Sequence, residues 1–162
     1  MLFATFLDDN ITMSLNSVCI FDIDGTLANC DHRLHHVQNK PKNWEAFYSG
    51  CMDDQVIWPV AEMLELFSKY YLIYIVTGRP ERNRALTESW LENYKIYFDK
   101  LIMRGDNDYS KSPDFKSKVC DSIEAEGNKI FLAVEDRKDC LDMFISRGIF
   151  TFDVSNGSLH DV

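Results

Sequence analysis

The chain has 162 residues, of which 46% are hydrophobic and 27% charged, and its formal net charge is −9. This length suits one domain with a sizeable core, and the composition excludes the disordered, collagen-like and low-complexity classes. No apolar run approaches the ~20 residues that span a bilayer, and the acidic charge argues against a protein that coats nucleic acid without specificity.

Cysteine usage and the opening residues bear on the compartment. The five cysteines are odd in number and form no Cys-x-x-Cys pair, which indicates neither a disulfide framework nor a zinc knuckle. The apolar opening of the chain lacks a basic flank and runs into two aspartates, so no secretory signal is expected. We therefore predict a cytoplasmic protein without a membrane partner, in which residues 1–16 are an N-terminal extension that need not be ordered.

Short apolar runs alternate with helical patterns after this extension. Uniformly apolar runs are typical of strands covered on both faces, and they predict strands at residues 18–23, 71–76, 101–103, 130–134 and 149–152. Prolines are preorganised for the first helical position, and three of them predict helix starts: Pro59, Pro80 and Pro113. The alternation implies right-handed crossovers. We therefore predict an α/β three-layer sandwich with a central parallel sheet, formed by one domain over residues 1–162.

Residues 27–58 interrupt the alternation directly after the first strand. They are too few for a second core, so we predict a small cap insertion over the strand ends, with one helix between an Asn43 N-cap and Gly50. Its aromatic side chains favour packing on the core, with base stacking as the alternative; they are Trp44, Phe47 and Tyr48. Histidines without a nearby cysteine or acidic cluster form a poor zinc site. We expect the three here to stack on a base or face solvent; they are His32, His35 and His36.

Two carboxylates follow the first predicted strand, at the edge where parallel sheets bind ligands. Asp22 and Asp24 are two positions apart and are expected to face the same side, while Gly25 allows a tight turn behind them. Two like charges held this close need a divalent cation or a lysine. The alternative is that the aspartates cap a turn, because Asp-Gly is a common turn dipeptide.

The second predicted strand ends in Thr77, Gly78 and Arg79. A hydroxyl, an unhindered backbone N–H and a guanidinium at a helix N-terminus form a phosphate site, although an ordinary strand-to-helix turn uses the same residues. Lys116, on the first turn of a later predicted helix, could reach a phosphate and balance Asp22. Its alternative is a solvated surface lysine.

The fourth predicted strand ends in Glu135 and Asp136. Two acids at the end of an apolar strand are costly unless they are paired or bind a metal, and carboxylate oxygens suit Mg²⁺. Each of these four features is weak alone. Their occurrence in this order, each at its own strand end, indicates phosphate chemistry supported by a metal.

These residues, in this order, resemble the four motifs of the haloacid-dehalogenase-like phosphohydrolases: Asp22-x-Asp24-Gly25-Thr26, Thr77, Lys116 and Glu135-Asp136. The resemblance extends over residues 18–152. More narrowly, the chain resembles the 3′-phosphatase half of the bacteriophage-type polynucleotide kinase/phosphatases. That likeness depends on FDIDGTLA with Arg33, TGR, LIMRGDNDYSKSPDFK and EDRKDCLDMF.

The chain departs from these phosphatases in three respects. It includes no kinase half and no G-K-[ST] phosphate-binding loop. Its fourth motif begins with Glu135 in place of the expected aspartate. Pro113 precedes the motif lysine, which leaves Lys118 as an alternative to Lys116.

The resemblance implies a two-step phosphoryl transfer with Mg²⁺. Asp22 would be the nucleophile, and Asp24 would protonate the leaving alkoxide and then activate water. Mg²⁺ would be held by the Asp22 carboxylate, the Asp24 backbone carbonyl and Asp136. Glu135 would orient a water on the metal or bind the metal directly, and the former is favoured.

The resemblance also implies the contacts to substrate. A hydroxyl, a backbone N–H and an ammonium would hold the non-bridging phosphate oxygens; they belong to Thr77, Gly78 and Lys116. The forked donors of Arg33 and Arg79 match phosphate and would bind substrate. Arg82 and Arg84 either extend that positive surface or face solvent.

The size of the insertion bears on the substrate. Phosphatases of small metabolites need a lid that excludes water, whereas a short basic insertion leaves the cleft open to a strand end. We therefore expect 3′-phosphorylated DNA or RNA ends as substrate and a separate kinase or ligase as partner, although the net charge of −9 would slow encounter with a polyanion. The alternatives are a nucleotidase or other small-molecule phosphatase, and a catalytically silent binding module.

Overall fold

Seven strands, six α-helices and two short 3₁₀ helices lie within residues 16–155, the part of the chain that the computed structural model describes. The strands are β1 (Ser17–Phe21), β2 (Ala28–Asn29), β3 (Gln55–Val56), β4 (Leu72–Pro80), β5 (Lys100–Arg104), β6 (Lys129–Glu135) and β7 (Phe150–Asp153). The helices are α1 (Asp31–Gln38), α2 (Trp44–Ser49), α3 (Trp58–Ser68), α4 (Arg84–Asn93), α5 (Ser112–Ala125) and α6 (Lys138–Ser146).

Five of the strands form one parallel sheet in the order β5-β4-β1-β6-β7. Every residue of the central strand β1 is buried, because helices cover both faces of the sheet. Cys19 and Phe21 of β1 pack in one core with side chains of α3 and α4, whereas Val18 and Ile20 pack in a second core with side chains of α5 and α6. The predicted three-layer α/β sandwich is confirmed, and each predicted strand is present with its bounds shifted by a few residues.

The insertion after β1 forms a small cap, as predicted. Its two ends are joined where Ala28 of β2 pairs with Val56 of β3. Helix α2 begins as expected, because the Asn43 side chain accepts a hydrogen bond from the backbone N–H of Ala46 at 3.0 Å. Helix α1 was not predicted. Its only apolar residues are Leu34 and Val37, and among its residues only Arg33 is buried.

The prediction that Pro80 opens a helix is wrong. Strand β4 runs through Pro80, whose backbone is extended at φ −72° and ψ 151°. A 3₁₀ turn over Glu81–Asn83 follows, and α4 begins only at Arg84. The proline φ suits a strand as well as a helix, so the sequence did not separate the two. Pro59 and Pro113 do lie in the first turns of α3 and α5.

The first 15 residues of the predicted N-terminal extension, residues 1–16, lie outside the described part of the chain. Asn16 is described, and its backbone carbonyl accepts a hydrogen bond from Lys129 N–H at 2.8 Å. Within residues 16–155, no helix has the length and apolar character needed to cross a membrane.

Candidate active site

An open cavity of about 950 Å³ lies beyond the carboxyl ends of the parallel strands. The cap helices form one wall, and residues 105–111 between β5 and α5 form another. The cavity is lined by six of the predicted site residues: Asp22, Asp24, Thr77, Gly78, Lys116 and Asp136. Residues far apart in the sequence therefore meet at one edge of the sheet.

Lys116 is the cation of a buried acidic cluster. Its Nζ lies 2.9 Å from Asp22 Oδ1 and donates a hydrogen bond to Glu135 Oε2. Asp136 completes the cluster, because single carboxylate oxygens of Asp22, Glu135 and Asp136 all lie within 4.8 Å of one another. Lys118, the alternative left by the sequence, is exposed, so Lys116 is the lysine that the fold places here.

Three carboxylates share one ammonium in this acidic cluster, which leaves negative charge in excess. Burial raises the pKa of Asp22 to about 7 against the attraction of Lys116. Burial, with the charges of Asp22 and Glu135, raises the pKa of Asp136 to about 8. Buried oxygen donors with uncompensated negative charge fit a divalent cation. The residues present therefore suit the kind of metal that the sequence predicted.

The turn at Gly25 brings Asp136 against the backbone of the first motif. Gly25 has φ +88°, a backbone angle that residues with a side chain rarely adopt. A Cβ built at this position would lie 2.2 Å from Asp136 Oδ2. The Thr26 hydroxyl donates a hydrogen bond to Asp136 Oδ1 at 3.2 Å. Glycine at this position thus leaves the space that the Asp136 carboxylate fills.

Asp24 belongs to a second cluster with its own cations. Arg79 Nη2 donates to Asp24 Oδ1 at 2.6 Å, and Arg33 Nη2 donates to the same oxygen at 2.5 Å. Both guanidiniums also bind Asp54, through Arg33 Nε at 2.7 Å and Arg79 Nη2 at 2.9 Å. Burial alone would raise the pKa of Asp24, but the charges of Arg79 and Arg33 outweigh it and hold that pKa below its ordinary value.

Asp22 and Asp24 therefore do not rely on one shared cation, although both line the cavity. Lys116 contacts the Asp22 carboxylate, whereas two arginines contact that of Asp24. An aspartate that only caps a turn would not need these ionic contacts, so the turn-capping alternative does not account for them.

The predicted direct contact of Arg33 and Arg79 with substrate does not match their position. Both side chains are almost fully buried, and neither lines the cavity. Their partners are the carboxylates of Asp24 and Asp54, which a buried guanidinium needs as compensation. In this geometry the two arginines contact Asp24, which does line the cavity.

Sequence reasoning missed Asp54, which is fully buried in the cap. Besides both arginines, its carboxylate contacts His32 Nε2 at 2.9 Å, and its backbone carbonyl accepts hydrogen bonds from Trp90 Nε1 at 2.9 Å and the Tyr94 hydroxyl at 3.2 Å. A single acid in a polar stretch gives no sequence signal of this kind.

Arg104 was also missed, although it lies within a segment used for the family resemblance. Arg104 Nη1 donates to the Ser110 carbonyl at 2.6 Å and Nη2 to the Ser112 hydroxyl at 3.1 Å. The guanidinium packs 4.8 Å from the centre of the Phe115 ring. Arg104 therefore holds the wall formed by residues 105–111 against the start of α5.

Thr77 and Gly78 lie at the floor of the cavity. The Thr77 side chain is buried, and its hydroxyl accepts a hydrogen bond from Arg79 N–H at 3.2 Å. The Gly78 carbonyl accepts from the Tyr48 hydroxyl and from Arg104 Nε, each at 3.4 Å. Because β4 continues to Pro80, no helix begins directly at Gly78, and the predicted helix N-terminus is absent from this position.

This parallel sheet, with an acidic first strand end, a lysine from α5 and two acids at the end of β6, is the fold of the haloacid-dehalogenase-like phosphatases. A hydrolase of that group from Streptococcus pneumoniae superposes with a TM-score of 0.59 at 15% identity, covering 87% of this chain and 85% of that one. At that identity the likeness concerns the fold.

The family model described as the polynucleotide kinase PNKP phosphatase domain matches residues 16–159, and the chain belongs to this family. It is also similar to acid phosphatase 1 of Solanum lycopersicum, at 27% identity over 120 residues, which are 70% of this chain and 47% of that protein. A protein in the structure of the Pnkp1/Rnl/Hen1 RNA repair complex superposes with a TM-score of 0.73 at 28% identity, over 87% of this chain and 43% of that one. The chain thus spans about half the length of these relatives.

Proposed function

We propose that this chain is a Mg²⁺-dependent phosphomonoesterase that removes 3′-phosphates from DNA or RNA ends. The coarser part, a phosphatase of the family identified above, follows from the family match. The observation that carries the finer part is the pairing of Asp22 with Lys116 beside two further acids, on the floor of a wide, open cavity.

Asp22 is the proposed nucleophile. A carboxylate oxygen of Asp22 attacks phosphorus in line, the bond from phosphorus to the sugar oxygen breaks, and an aspartyl-phosphate forms. Lys116, 2.9 Å from Asp22 Oδ1, orients this carboxylate and lies where it can contact the non-bridging phosphate oxygens. Water then attacks phosphorus, which releases inorganic phosphate and restores the Asp22 carboxylate.

Asp24 is the proposed proton donor and acceptor. Its depressed pKa means that the carboxylate form dominates without substrate, which suits the water-activating half of the reaction. The donor half requires a proton, and the negative charge of a bound phosphate raises the pKa of a neighbouring carboxyl group. Arg33 and Arg79 fix the orientation of Asp24 in both halves.

The remaining predicted contacts divide between phosphate and metal. The Thr77 hydroxyl, the Gly78 N–H and the Lys116 ammonium are proposed to hold the non-bridging oxygens. Mg²⁺ would be held by the Asp22 carboxylate, the Asp24 backbone carbonyl and Asp136, and when bound it neutralises charge on the phosphate. Glu135 is buried and in contact with Lys116. It is proposed to orient a water on the metal and not to bind the metal directly.

The strand-end substrate is supported by the openness of the site and by similarity. The related proteins at TM-score 0.73 were solved in a Pnkp1/Rnl/Hen1 complex, one of them described as an RNA repair complex. By analogy we propose that this chain works beside a separate kinase or ligase. A small-molecule phosphatase is the second candidate, favoured by the similarity to an acid phosphatase and by the net charge of −9.

A substrate panel tests the proposal. Purified protein with Mg²⁺ is assayed for phosphate release from a 3′-phosphorylated oligonucleotide, a 5′-phosphorylated oligonucleotide and the 3′- and 5′-mononucleotides. The 3′-phosphorylated oligonucleotide is expected to give the highest kcat/KM. Equal or faster turnover of the mononucleotides would reject the strand-end substrate in favour of the second candidate.

Asp22→Asn serves as the control for the chemistry. We expect this variant to lose turnover of every substrate in the panel and to form no acid-stable phosphoenzyme. Full activity in Asp22→Asn would reject the proposed nucleophile, and inactivity of the wild-type chain on every phosphate would leave a binding module.

A further inference from the structure

Two aromatic side chains at the mouth of the cavity are left unused by the chemistry proposed above. Tyr109, between β5 and α5, is 90% exposed, and Trp44, at the start of α2, is 45% exposed. Both line the same cavity, from its two different walls. Large aromatic side chains are usually buried, so two exposed ones at a single opening point to a ligand with a flat apolar face.

The other two aromatic residues of the lining have structural roles. Phe47 is buried, and the Arg33 guanidinium lies 4.1 Å from the centre of its ring. Tyr48 donates its hydroxyl to the Gly78 carbonyl, and its ring stacks on Trp44 at 5.8 Å and 20°. Tyr48 thus holds the Trp44 ring in place on the cap wall, which limits the loss of rotamer freedom when Trp44 binds a ligand.

Two arginines at the opening already have acidic partners. Arg82 approaches Asp106 and Glu45, at 3.5 and 3.9 Å, and Arg137 is paired with Asp139 at 2.7 Å. Arginines that already have acidic partners have less positive charge to offer a polyanion. Lys42, whose Nζ lies 5.3 Å from the centre of the Trp44 ring, and Lys111 also line the cavity, so a contact with the bases would add to the contacts that these lysines can make with phosphate.

We infer that Trp44 and Tyr109 stack on bases at the end of the strand, so that the site selects nucleotide 3′-phosphates over phosphates that lack a base. This inference rests on the proposed strand-end function and specifies how the substrate is recognised. Aromatic rings bind bases with little preference for sequence, since every base has a π-face. The site would therefore accept ends of differing sequence.

Two oligonucleotides test the inference, identical except that one ends in a normal nucleotide and the other in an abasic residue, both with a 3′-phosphate. For the wild-type chain the abasic end is expected to raise KM about tenfold or more, the range for loss of one base stack. Tyr109→Ala and Trp44→Ala should each reduce this difference between the substrates, with the effect in KM more than in kcat. Tyr109→Phe, which keeps the ring, should restore it.

Matched exposed aromatics outside the cavity provide the controls. Tyr70→Ala and Trp58→Ala remove side chains that are each 57% exposed, and both should keep the wild-type preference for the base-bearing end. As a spectroscopic readout, the fluorescence of a terminal 2-aminopurine should be quenched when the oligonucleotide binds to the wild-type chain, and should not be quenched when it binds to Tyr109→Ala.

Three outcomes would count against the inference. Equal KM for the two oligonucleotides would overturn it while leaving the strand-end function intact. An unchanged preference and undiminished quenching in Tyr109→Ala and Trp44→Ala would do the same. Failure of the wild-type chain to act on either oligonucleotide would overturn the proposed function itself, and this inference with it.

Discussion

Asp54 Oδ2 and Arg79 Nη2 lie 2.9 Å apart, and both side chains are fully shielded from solvent. Asp54 belongs to the cap, whereas Arg79 lies near the end of strand β4, next to the central strand. The pair therefore joins the cap to the sheet, next to the carboxylate of Asp24 that Arg79 also holds.

The first prediction concerns this pair. Asp54→Asn removes one charge from a balanced set of two aspartates and two arginines and leaves an uncompensated buried guanidinium. Breaking a buried ion pair from one side costs about 3–5 kcal/mol, so we expect the free energy of unfolding in urea to fall by about that amount. Asp142→Asn is the control, since its partner Lys138 is exposed and such pairs contribute about 0–1 kcal/mol. Equal unfolding midpoints for the two variants would contradict the prediction.

The second prediction separates the two candidate lysines. Lys116→Met leaves the carboxylates of Asp22 and Glu135 without their ammonium, and we expect loss of phosphatase activity and destabilisation of about 3–5 kcal/mol in the metal-free protein. Lys118→Met alters an exposed side chain and should change the free energy of unfolding by about 0.5 kcal/mol or less. Parallel assays and urea melts of the two variants measure the contrast. Loss of activity in Lys118→Met alone would reverse the assignment.

The third prediction concerns the proton on the leaving group. Asp24→Asn cannot protonate an alkoxide, so turnover of a 3′-phosphorylated oligonucleotide should fall by about 10²–10⁴-fold. p-Nitrophenolate leaves without a proton, so with p-nitrophenyl phosphate the variant should release one burst of product and then stall before water attacks. Stopped-flow absorbance measures the burst. Steady turnover of p-nitrophenyl phosphate at the wild-type rate, with no burst, would exclude Asp24 from activating water, and undiminished turnover of the oligonucleotide would exclude it from protonating the leaving group.

The fourth prediction concerns the turn beneath the acidic cluster. Gly25→Ala and Gly127→Ala both place a side chain at positive φ, +88° and +84°, but only the Cβ at position 25 meets a neighbour within 4 Å, Asp136. The backbone cost of about 1–2 kcal/mol should therefore be common to both variants. Calorimetric titration with Mg²⁺ should show weaker binding only in Gly25→Ala, because the Asp136 carboxylate must move. Equal Mg²⁺ affinity in both variants would contradict this role for Gly25.

The fifth prediction links metal binding to pH. The folded-state pKa values of Asp22 and Asp136, about 7 and about 8, lie above the ordinary value of 3.8. Folding then favours the protonated acids, so stability is lost progressively as the pH rises from about 3.8, where the acids of the unfolded chain ionise, to about 7 and 8, where those of the folded protein do. We expect the Tm of the metal-free protein to fall over this range.

Mg²⁺ should reverse that loss. Because the cation binds the deprotonated carboxylates, the increase in Tm on adding Mg²⁺ should grow from about pH 6 to about pH 8.5. Thermal melts with Mg²⁺ and with a chelator measure it, and Asp136→Asn should show a smaller increase throughout. A Mg²⁺ effect that is largest at the acidic end would contradict the prediction.

Local sequence determined the layers of the fold and the order of its motifs. Uniformly apolar runs predicted the five parallel strands, since a strand covered on both faces has no polar side. Parallel strands place their carboxyl ends at one edge, so Asp22, Thr77 and Asp136 could be assigned to a common site before any contact was known.

Only the tertiary structure decided which charges pair. The choice of Lys116 over Lys118 depends on which face of α5 packs on the sheet, and both lysines lie in the same helical turn. The guanidinium groups of Arg33 and Arg79 are suited to binding phosphate, and the sequence therefore predicted that they contact substrate. In the folded protein both are buried in ion pairs with Asp24 and Asp54. The partners of a buried charge come from segments distant along the chain. The spacing of residues in the sequence does not predict these partners, because only the tertiary fold brings the paired side chains together.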